Sequence, residues 1–220
     1  MNKKALKQSV KVLLQRLLTL IMFLIGSKGV VSDVAIFYFI LFYTFSLISL
    51  FIVNLVNPAS LAFREESSKE TPLWDKIVLP IFWVYNFIVL YLVAGIELNE
   101  FSKLNVTVII GFFIMGISFI IGTKAMCDNP FMGTFSTVQK EKEQIVVTSG
   151  IYSVIRHPTY LSIILHCLSF ILIFKTVLTS VVASFIIVLI IFRTYKEDKY
   201  LKENLEGYLE YCKTTGLWKS

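Results

Sequence analysis

Residues 158–192 read PTYLSIILHCLSFILIFKTVLTSVVASFIIVLIIF, and Lys175 is the single charged residue among them. A helix needs roughly 20 apolar residues to cross the hydrocarbon core of a bilayer, which is about 30 Å thick. The apolar runs on either side of Lys175, residues 158–174 and 176–192, come close to that length. Because the connection between them is so short, the two runs must pack as antiparallel neighbours. The stretch predicts a transmembrane helical hairpin.

Four more apolar segments precede this hairpin. Residues 34–53, 77–96 and 104–122 are free of charge over the required length, and residues 12–27 contain Arg16, whose long side chain can snorkel to the interface. With 56% apolar and 16% charged residues, the chain is too hydrophobic for a soluble domain of 220 residues. Lipid offers no hydrogen-bond partners, so a segment that does not close into a β-barrel can satisfy its backbone N–H and C=O groups only as a helix. We therefore predict an all-α fold, a polytopic membrane bundle of five or six transmembrane helices.

The distribution of Lys and Arg predicts the orientation of the bundle. If six spans begin on the cytoplasmic side, Lys28, Lys103 and Lys175 fall in outer loops and the other 18 of the 21 basic residues fall on the inner side. This asymmetry is typical of the positive-inside rule. We expect both termini in the cytoplasm, in the plasma membrane of a bacterium or the endoplasmic reticulum of a eukaryote. The net charge of +6 follows the topology, so the lipid bilayer is the expected partner and nucleic acid is not.

Polar residues gather at both cytoplasmic ends of the hairpin. Residues 150–160, GIYSVIRHPTY, lead into its first helix, with Pro158 where a missing N–H costs nothing and His157 at the cap. Arg193 and Glu197 follow its second helix. Singly, such residues are typical of interfacial anchors, of an aromatic belt, or of a surface ion pair at i, i+4 spacing. Together, they predict one cytoplasm-facing pocket for a polar, zwitterionic ligand.

The histidine within a span and the three cysteines have simpler interpretations. An ionisable group in a membrane is a functional suspect, yet a hydrogen bond to a neighbouring helix is sufficient for His166. Cys127, Cys167 and Cys212 lie too far apart for a CxxC motif or a metal-ligand pattern. We therefore expect no metal site.

The polar stretches of the C-terminal part resemble the isoprenylcysteine carboxyl methyltransferase family. The similar stretches, within residues 137–220, are VQKEK at 138–142, QIVVTSGIY at 144–152, RHPTY at 156–160, Arg193 with Glu197 and Asp198, and GYLEY at 207–211. Two positions depart from the family pattern. Ser162 stands where a glycine is usual and adds bulk where a helix and a cofactor are expected to approach closely. Asp198 replaces the second glutamate of a pair but keeps its charge.

The resemblance implies a single membrane methyltransferase domain, residues 1–220, with N-terminal transmembrane helices at 12–122 and a cofactor-binding catalytic half at 137–220. It implies S-adenosyl-L-methionine as the cofactor, in a pocket closed by a cytoplasmic tail, residues 199–220. Arg193 would be the catalytic, substrate-binding residue. The implied cofactor contacts are Gln139, Gln144, Ile145, Val146, Val147, Tyr152, His157, Pro158, Thr159, Tyr160 and Glu197.

An enzyme of this kind would act on a lipid-like or prenylated carboxylate substrate. A carboxylate is already ionised at neutral pH, so its methylation needs no general base, and Arg193 would orient it. A phospholipid N-methyltransferase shares the membrane setting, but it needs a base to deprotonate its amine substrate. The third possibility is a non-catalytic membrane scaffold or a transporter, although the spans show no inverted repeat.

Overall fold

The computed structural model describes residues 3–62, 71–98, 104–138 and 143–217, and these contain no β-strand. A π-helical turn, Tyr85–Val89, makes two of the helices continuous, and a 3₁₀ turn, Gly150–Ser153, precedes another. The α-helices are, in chain order, α1 Lys3–Gly26, α2 Asp33–Val56, α3 Pro58–Ala62, α4 Leu73–Val84, α5 Leu90–Ile96, α6 Val106–Asp128, α7 Pro158–Phe174, α8 Val177–Asn204 and α9 Tyr208–Thr214.

Five helical segments in the described ranges are long and apolar enough to cross a membrane. They are α1, α2, the continuous segment Leu73–Ile96, α6 and α8, while α7 is a shorter apolar helix of the same character. The prediction of an all-α, polytopic membrane bundle is confirmed. The chain is an integral, multi-pass membrane protein.

The first span differs from its prediction in length and in the position of its arginine. Helix α1 begins at Lys3 rather than at residue 12, so Arg16 lies more than three turns inside it. The guanidinium carbon of Arg16 lies 4.7 Å from the centroid of the Phe42 ring on α2. Arg16 therefore points into the bundle, and the expectation that it snorkels to the interface is wrong.

Helices α1 and α5 touch through their backbones at two glycines. A Cβ atom on Gly26 would lie 2.2 Å from the carbonyl oxygen of Leu92, and one on Gly95 would lie 2.2 Å from that of Phe23. Small residues permit such close approach, which is how membrane helices gain packing contacts without a hydrophobic driving force. The contact holds the C-terminal end of α1 against α5.

The centre of the bundle is aromatic and contains one polar cluster. Tyr38 on α2 lies with its hydroxyl 3.0 Å from that of Tyr91 and 3.3 Å from Nε2 of His166 on α7. The rings of Phe42 and Phe170 pack around Tyr38. His166 therefore hydrogen-bonds a neighbouring helix, which confirms the simpler interpretation of this residue.

Helices α7 and α8 form the predicted hairpin. They pack against each other along the bundle, and only Lys175 and Thr176 connect them. Lys175 adopts a left-handed backbone conformation with φ of 54°, and its N–H donates to the carbonyl of Ile171 at 3.0 Å. Helix α8 continues to Asn204, about three turns beyond the predicted end at residue 192, because its polar inner part packs on the site described below.

Glu97, just after α5, caps the first turn of α8. Its carboxylate accepts the N–H groups of Leu178 and Thr179, each at 2.9 Å, and the hydroxyls of Thr176 and Thr179. An anion at a helix N-terminus also interacts favourably with the helix dipole. Burial raises the pKa of Glu97, but these hydrogen bonds outweigh it, so the pKa is lowered overall.

Candidate functional site

Gly150 and Asp128 fix the conformation of the segment that precedes α7. Gly150 has φ of +61°, and a Cβ atom there would lie 2.0 Å from an oxygen of the Asp128 carboxylate. The same carboxylate accepts the N–H of Ile151 at 2.8 Å. This contact holds the 3₁₀ turn at the end of α6. His157 then occupies the N-cap of α7 and Pro158 its first turn, as predicted.

Asp198 joins the N-terminal end of α7 and the C-terminal part of α8 to the tail. Its Oδ1 accepts from Nη1 of Arg156 at 2.7 Å and from the hydroxyl of Tyr208 at 3.1 Å, and lies 3.5 Å from Nε2 of His157. Its Oδ2 pairs with Nζ of Lys202 at 2.6 Å. Residues from before α7, from α8 and from α9 therefore meet at one carboxylate.

Arg193 pairs with a residue from the other half of the chain. Its Nε donates to Oδ1 of Asp75 at 2.9 Å, and its Nη2 donates to Oδ2 of Asp75 at 3.4 Å and to the carbonyl of Thr134 at 2.7 Å. Asp75 is fully buried and also accepts the N–H of Ser136 at 2.7 Å. The guanidinium is therefore fixed in position, and its charge is largely neutralised.

Glu197 lies beside this pair but does not join it. Its carboxylate accepts from the hydroxyl of Ser136 at 2.8 Å and from the hydroxyl of Tyr160. The guanidinium carbon of Arg193 lies 5.4 Å from the centroid of the Tyr160 ring. The described residues contain no ion pair between Arg193 and Glu197, so the interpretation as a surface i, i+4 pair is wrong. The guanidinium of Arg193 pairs with Asp75 instead.

A cavity of about 180 Å³ opens between the N-terminal end of α7 and the C-terminal part of α8. Arg193 and every expected contact residue in the described ranges line it, while Gln139 lies outside the described residues. The lining residues that the sequence predicted are Gln144, Ile145, Val146, Val147, Tyr152, His157, Pro158, Thr159, Tyr160, Arg193 and Glu197. Their convergence from four separate stretches of sequence makes this cavity the candidate site.

The tail forms another wall of this cavity. Leu205, Tyr208 and Tyr211 line it from the end of α8 and from α9. The hydroxyl of Tyr211 donates to the carbonyl of Tyr152 at 2.5 Å. The backbone N–H of Arg156 donates to the carbonyl of Gly216 at 3.3 Å. The tail is thus fastened to the segment that precedes α7 by Tyr211, within α9, and by Gly216, after α9.

The tyrosines around the tail are neutral at physiological pH. Burial raises the pKa of Tyr152, and burial together with the charge of Asp198 raises the pKa of Tyr208 well above its usual range. Burial raises the pKa of Tyr211 to about 12. These hydroxyls therefore act as hydrogen-bond donors and not as bases.

The sequence also matches a known family across this site. Residues 110–203 match the Isoprenylcysteine carboxyl methyltransferase (ICMT) family. The matched residues make up less than half of the chain. The match covers most of α6, all of α7 and nearly all of α8, and it confirms the resemblance seen in the sequence. No curated protein sequence matches the chain at a significant level.

One departure from the family pattern lies away from the cavity. Ser162 does not line the 180 Å³ cavity; its hydroxyl donates to the carbonyl of Ser118 on α6 at 2.8 Å. A Cβ atom on Gly122 would lie 2.7 Å from that hydroxyl oxygen. Ser162 therefore packs between α6 and α7, outside the candidate site.

Sequence reasoning missed two acidic residues that build the site. The pairing of Asp75 with Arg193 spans 118 positions of the sequence. The signal available was an acid in the first turn of an apolar helix, where the cost of burial requires a partner. Asp128, at the end of α6, gave no such signal because Lys124, four residues earlier, offers a local ion pair that also forms.

Proposed function

We propose that the protein is an S-adenosyl-L-methionine-dependent methyltransferase acting at the cytoplasmic face of a membrane. Its acceptor is the carboxylate of an isoprenylcysteine-like or other lipid-borne molecule. The observation that most supports this proposal is the cavity between α7 and α8, because the expected cofactor contacts line it together with Arg193. The family that residues 110–203 match supports the same chemistry.

The chemistry of this cavity fits the cofactor. Glu197 supplies an anion that is suited to the positive charges of a sulfonium amino acid. The N-terminus of α7 favours a carboxylate through its dipole. Residues 144–147 are neither helix nor strand, so their backbone groups can bond a nucleoside. When bound, the cofactor supplies an electrophilic methyl group.

The acceptor needs orientation more than activation. A carboxylate attacks a methyl group in line, and holding the two in contact can lower the barrier by several kcal/mol. The acid is ionised at neutral pH, and the nearby tyrosine hydroxyls are neutral donors, so no proton has to move. The residues of the chain therefore bind, orient and exclude water.

Arg193 is the residue to which we assign orientation of the acceptor. Asp75 and Thr134 engage its Nε and Nη2, and no described residue accepts from its Nη1. That nitrogen remains able to donate to an oxygen of the acceptor. Because Asp75 neutralises most of the charge, Arg193 supplies direction more than net attraction.

The arrangement of the chain in the membrane is part of the proposal. Residues 1–220 act as one domain in which 12–122 supply the membrane wall and 137–220 bind the cofactor. Both termini lie in the cytoplasm, where a water-soluble cofactor is found. The excess of Lys and Arg on the inner side supports this orientation.

Radiolabelled methyl transfer tests the proposal directly. Purified protein in detergent is incubated with methyl-labelled S-adenosyl-L-methionine and a membrane extract, and the labelled products are treated with base. Carboxyl esters release the label as methanol, whereas methylated amines keep it. We expect base-labile products, reduced at least tenfold by Arg193→Lys while cofactor-induced thermal stabilisation is retained. Base-stable label would instead identify an amine methyltransferase.

A further inference from the structure

Ser136, in the segment between α6 and α7, contacts both acidic residues that lie beside Arg193. Its backbone N–H donates to Oδ2 of Asp75 at 2.7 Å, and its hydroxyl donates to Oε2 of Glu197 at 2.8 Å. The residue is only 3% exposed, so water has little access to either hydrogen bond. Ser136 therefore connects the acid that holds Arg193 with the acid that we assign to the cofactor.

Ser136 does not line the candidate site, although its neighbours Phe135 and Thr137 do. It is therefore placed to act on bound reactants through Asp75 and Glu197 and not by touching them. Thr134, two residues earlier, adds a contact to the same network, because its carbonyl accepts from Nη2 of Arg193 at 2.7 Å. The short segment 134–136 thus holds charged side chains that the two reactants would share between them.

The hydroxyl of Ser136 also determines which oxygen of Glu197 stays available. Oε2 accepts from Ser136 and from the hydroxyl of Tyr160. In the part of the chain that the structure describes, no residue donates to Oε1. Two donors on one oxygen restrain the rotation of the carboxylate. Oε1 is therefore held in one direction, ready for a cationic group.

Arg193 and Glu197 lie one turn apart on α8, yet they are connected through Ser136 and Asp75 and not directly. A direct ion pair would turn both side chains toward each other and away from the reactants. The hydroxyl of Ser136 draws Glu197 to one side, while Asp75 draws the guanidinium to the other. The network keeps one anion and one guanidinium nitrogen free at neighbouring positions.

We propose that Ser136 is a positioning residue for methyl transfer, which sets Glu197 relative to Arg193 so that cofactor and acceptor meet in line. This inference rests on the proposed function. In-line displacement depends on alignment, and a misplacement of about 1 Å in the reacting atoms can cost about 100-fold in rate. Loss of the hydroxyl should therefore weaken cofactor binding and also slow the reaction when cofactor is saturating.

Calorimetric titration with S-adenosyl-L-methionine measures the effect on Glu197 without turnover. Ser136→Ala removes the hydroxyl but keeps the backbone N–H that Asp75 accepts, and we expect Kd to rise about threefold to tenfold. Ser136→Thr keeps a hydroxyl and should restore most of the affinity. Ser153→Ala is the matched control and should leave Kd unchanged, since it removes an exposed hydroxyl that bonds within its own turn.

A double-mutant cycle decides whether Ser136 acts through Glu197. In a Glu197→Ala background the hydroxyl has no carboxylate to restrain, so Ser136→Ala should cause no further rise in Kd. A serine that merely supports the fold would weaken binding by the same factor in both backgrounds, because the effects of independent sites add. Equal losses in the two backgrounds, or no loss in either, would overturn the inference.

The rate at saturating cofactor tests the alignment of the two reactants. Labelled ester formation is measured with S-adenosyl-L-methionine in large excess over the Kd of each variant, so weaker binding no longer limits the rate. We expect Ser136→Ala to be about tenfold slower and Ser136→Thr to recover most of the rate. A Ser136→Ala rate equal to that of the unaltered protein would overturn the role of Ser136 in alignment.

Failure of the inference can be told from failure of the proposed function. If the unaltered protein binds no S-adenosyl-L-methionine, both are overturned. If it binds the cofactor and forms ester, and Ser136→Ala matches it in Kd and rate, only the inference is overturned. Ser136→Cys, which keeps a weaker donor, gives the same comparison with a smaller loss if Ser136→Ala does not fold.

Discussion

Arg193 on α8 and Asp75 on α4 form a buried ion pair, with 2.9 Å between Nε and Oδ1. The pair ties the C-terminal hairpin to the N-terminal half of the bundle. It also fixes the guanidinium that we assign to the acceptor. One contact thus links the stability of the membrane wall to the geometry of the candidate site.

Asp75→Asn should destabilise the protein and disable methyl transfer. Removing one partner of a buried pair leaves the other charge uncompensated, at a cost of about 3–5 kcal/mol. We expect a lower melting temperature in detergent than for Asp33→Asn, which alters an exposed acid in the first turn of α2. The double variant Asp75→Leu/Arg193→Met should melt above Asp75→Asn yet remain inactive. A stable, active Asp75→Asn would show that the pair is dispensable.

Glu197→Gln should weaken cofactor binding more than folding. The variant keeps hydrogen bonding to Ser136 and Tyr160 but loses the negative charge offered to a sulfonium. Loss of one charge-assisted contact costs about 1.4 kcal/mol, or roughly tenfold in Kd. Calorimetric titration with S-adenosyl-L-methionine measures this change. Glu203→Gln, an exposed position on the same helix, serves as the control and should bind normally.

Tyr211→Phe should loosen the tail over the candidate site. The hydroxyl donates to the carbonyl of Tyr152, and its removal costs about 1 kcal/mol. We expect faster cofactor release, several-fold in a stopped-flow displacement experiment, with a small change in melting temperature. Tyr195→Phe, at an exposed position on α8, should leave release unchanged. Identical release rates in both variants would mean that the tail does not retain the cofactor.

Glu97 should make stability depend on pH. Because its pKa is lowered on folding, its contribution is complete above the ordinary glutamate pKa of 4.5 and is lost as the pH falls through the folded value. Glu97→Gln should therefore melt at a lower temperature than the unaltered protein at neutral pH. The difference between the two melting temperatures should narrow as the pH falls. Melting curves collected across this range measure the difference. If the difference in melting temperature did not change with pH, Glu97 would stabilise α8 by hydrogen bonding alone and not by its charge.

Arg16→Met should raise the melting temperature of the ligand-free protein. In the described part of the chain no acid pairs with this guanidinium, so its removal relieves a desolvation cost. A merely structural arginine, held by the rings of Phe42 and Phe87, would lower the melting temperature when removed. The sign of the shift therefore separates the two roles.

The membrane spans were predictable because lipid imposes a length and an apolar composition on each of them. The start of α1 at Lys3 was not predictable, because Lys3, Lys4 and Lys7 extend the helix outside any apolar run. The meeting of His157 with the inner end of α8 followed from the short turn at Lys175. The sequence did not predict that Asp75 pairs with Arg193 or that Glu97 caps α8. Each contact is formed across a long sequence separation and leaves no local pattern.

Trp83, Thr159 and their neighbours form a shared wall, because they line both the cavity of about 180 Å³ and one of about 630 Å³ inside the bundle, so a nucleoside in the first and an apolar group in the second would be neighbours. A single compound carrying both groups on a short linker would engage both sites at once. Its second contact would then be intramolecular, and its affinity would exceed that of either half by orders of magnitude. The wall thus defines the design of a bisubstrate inhibitor.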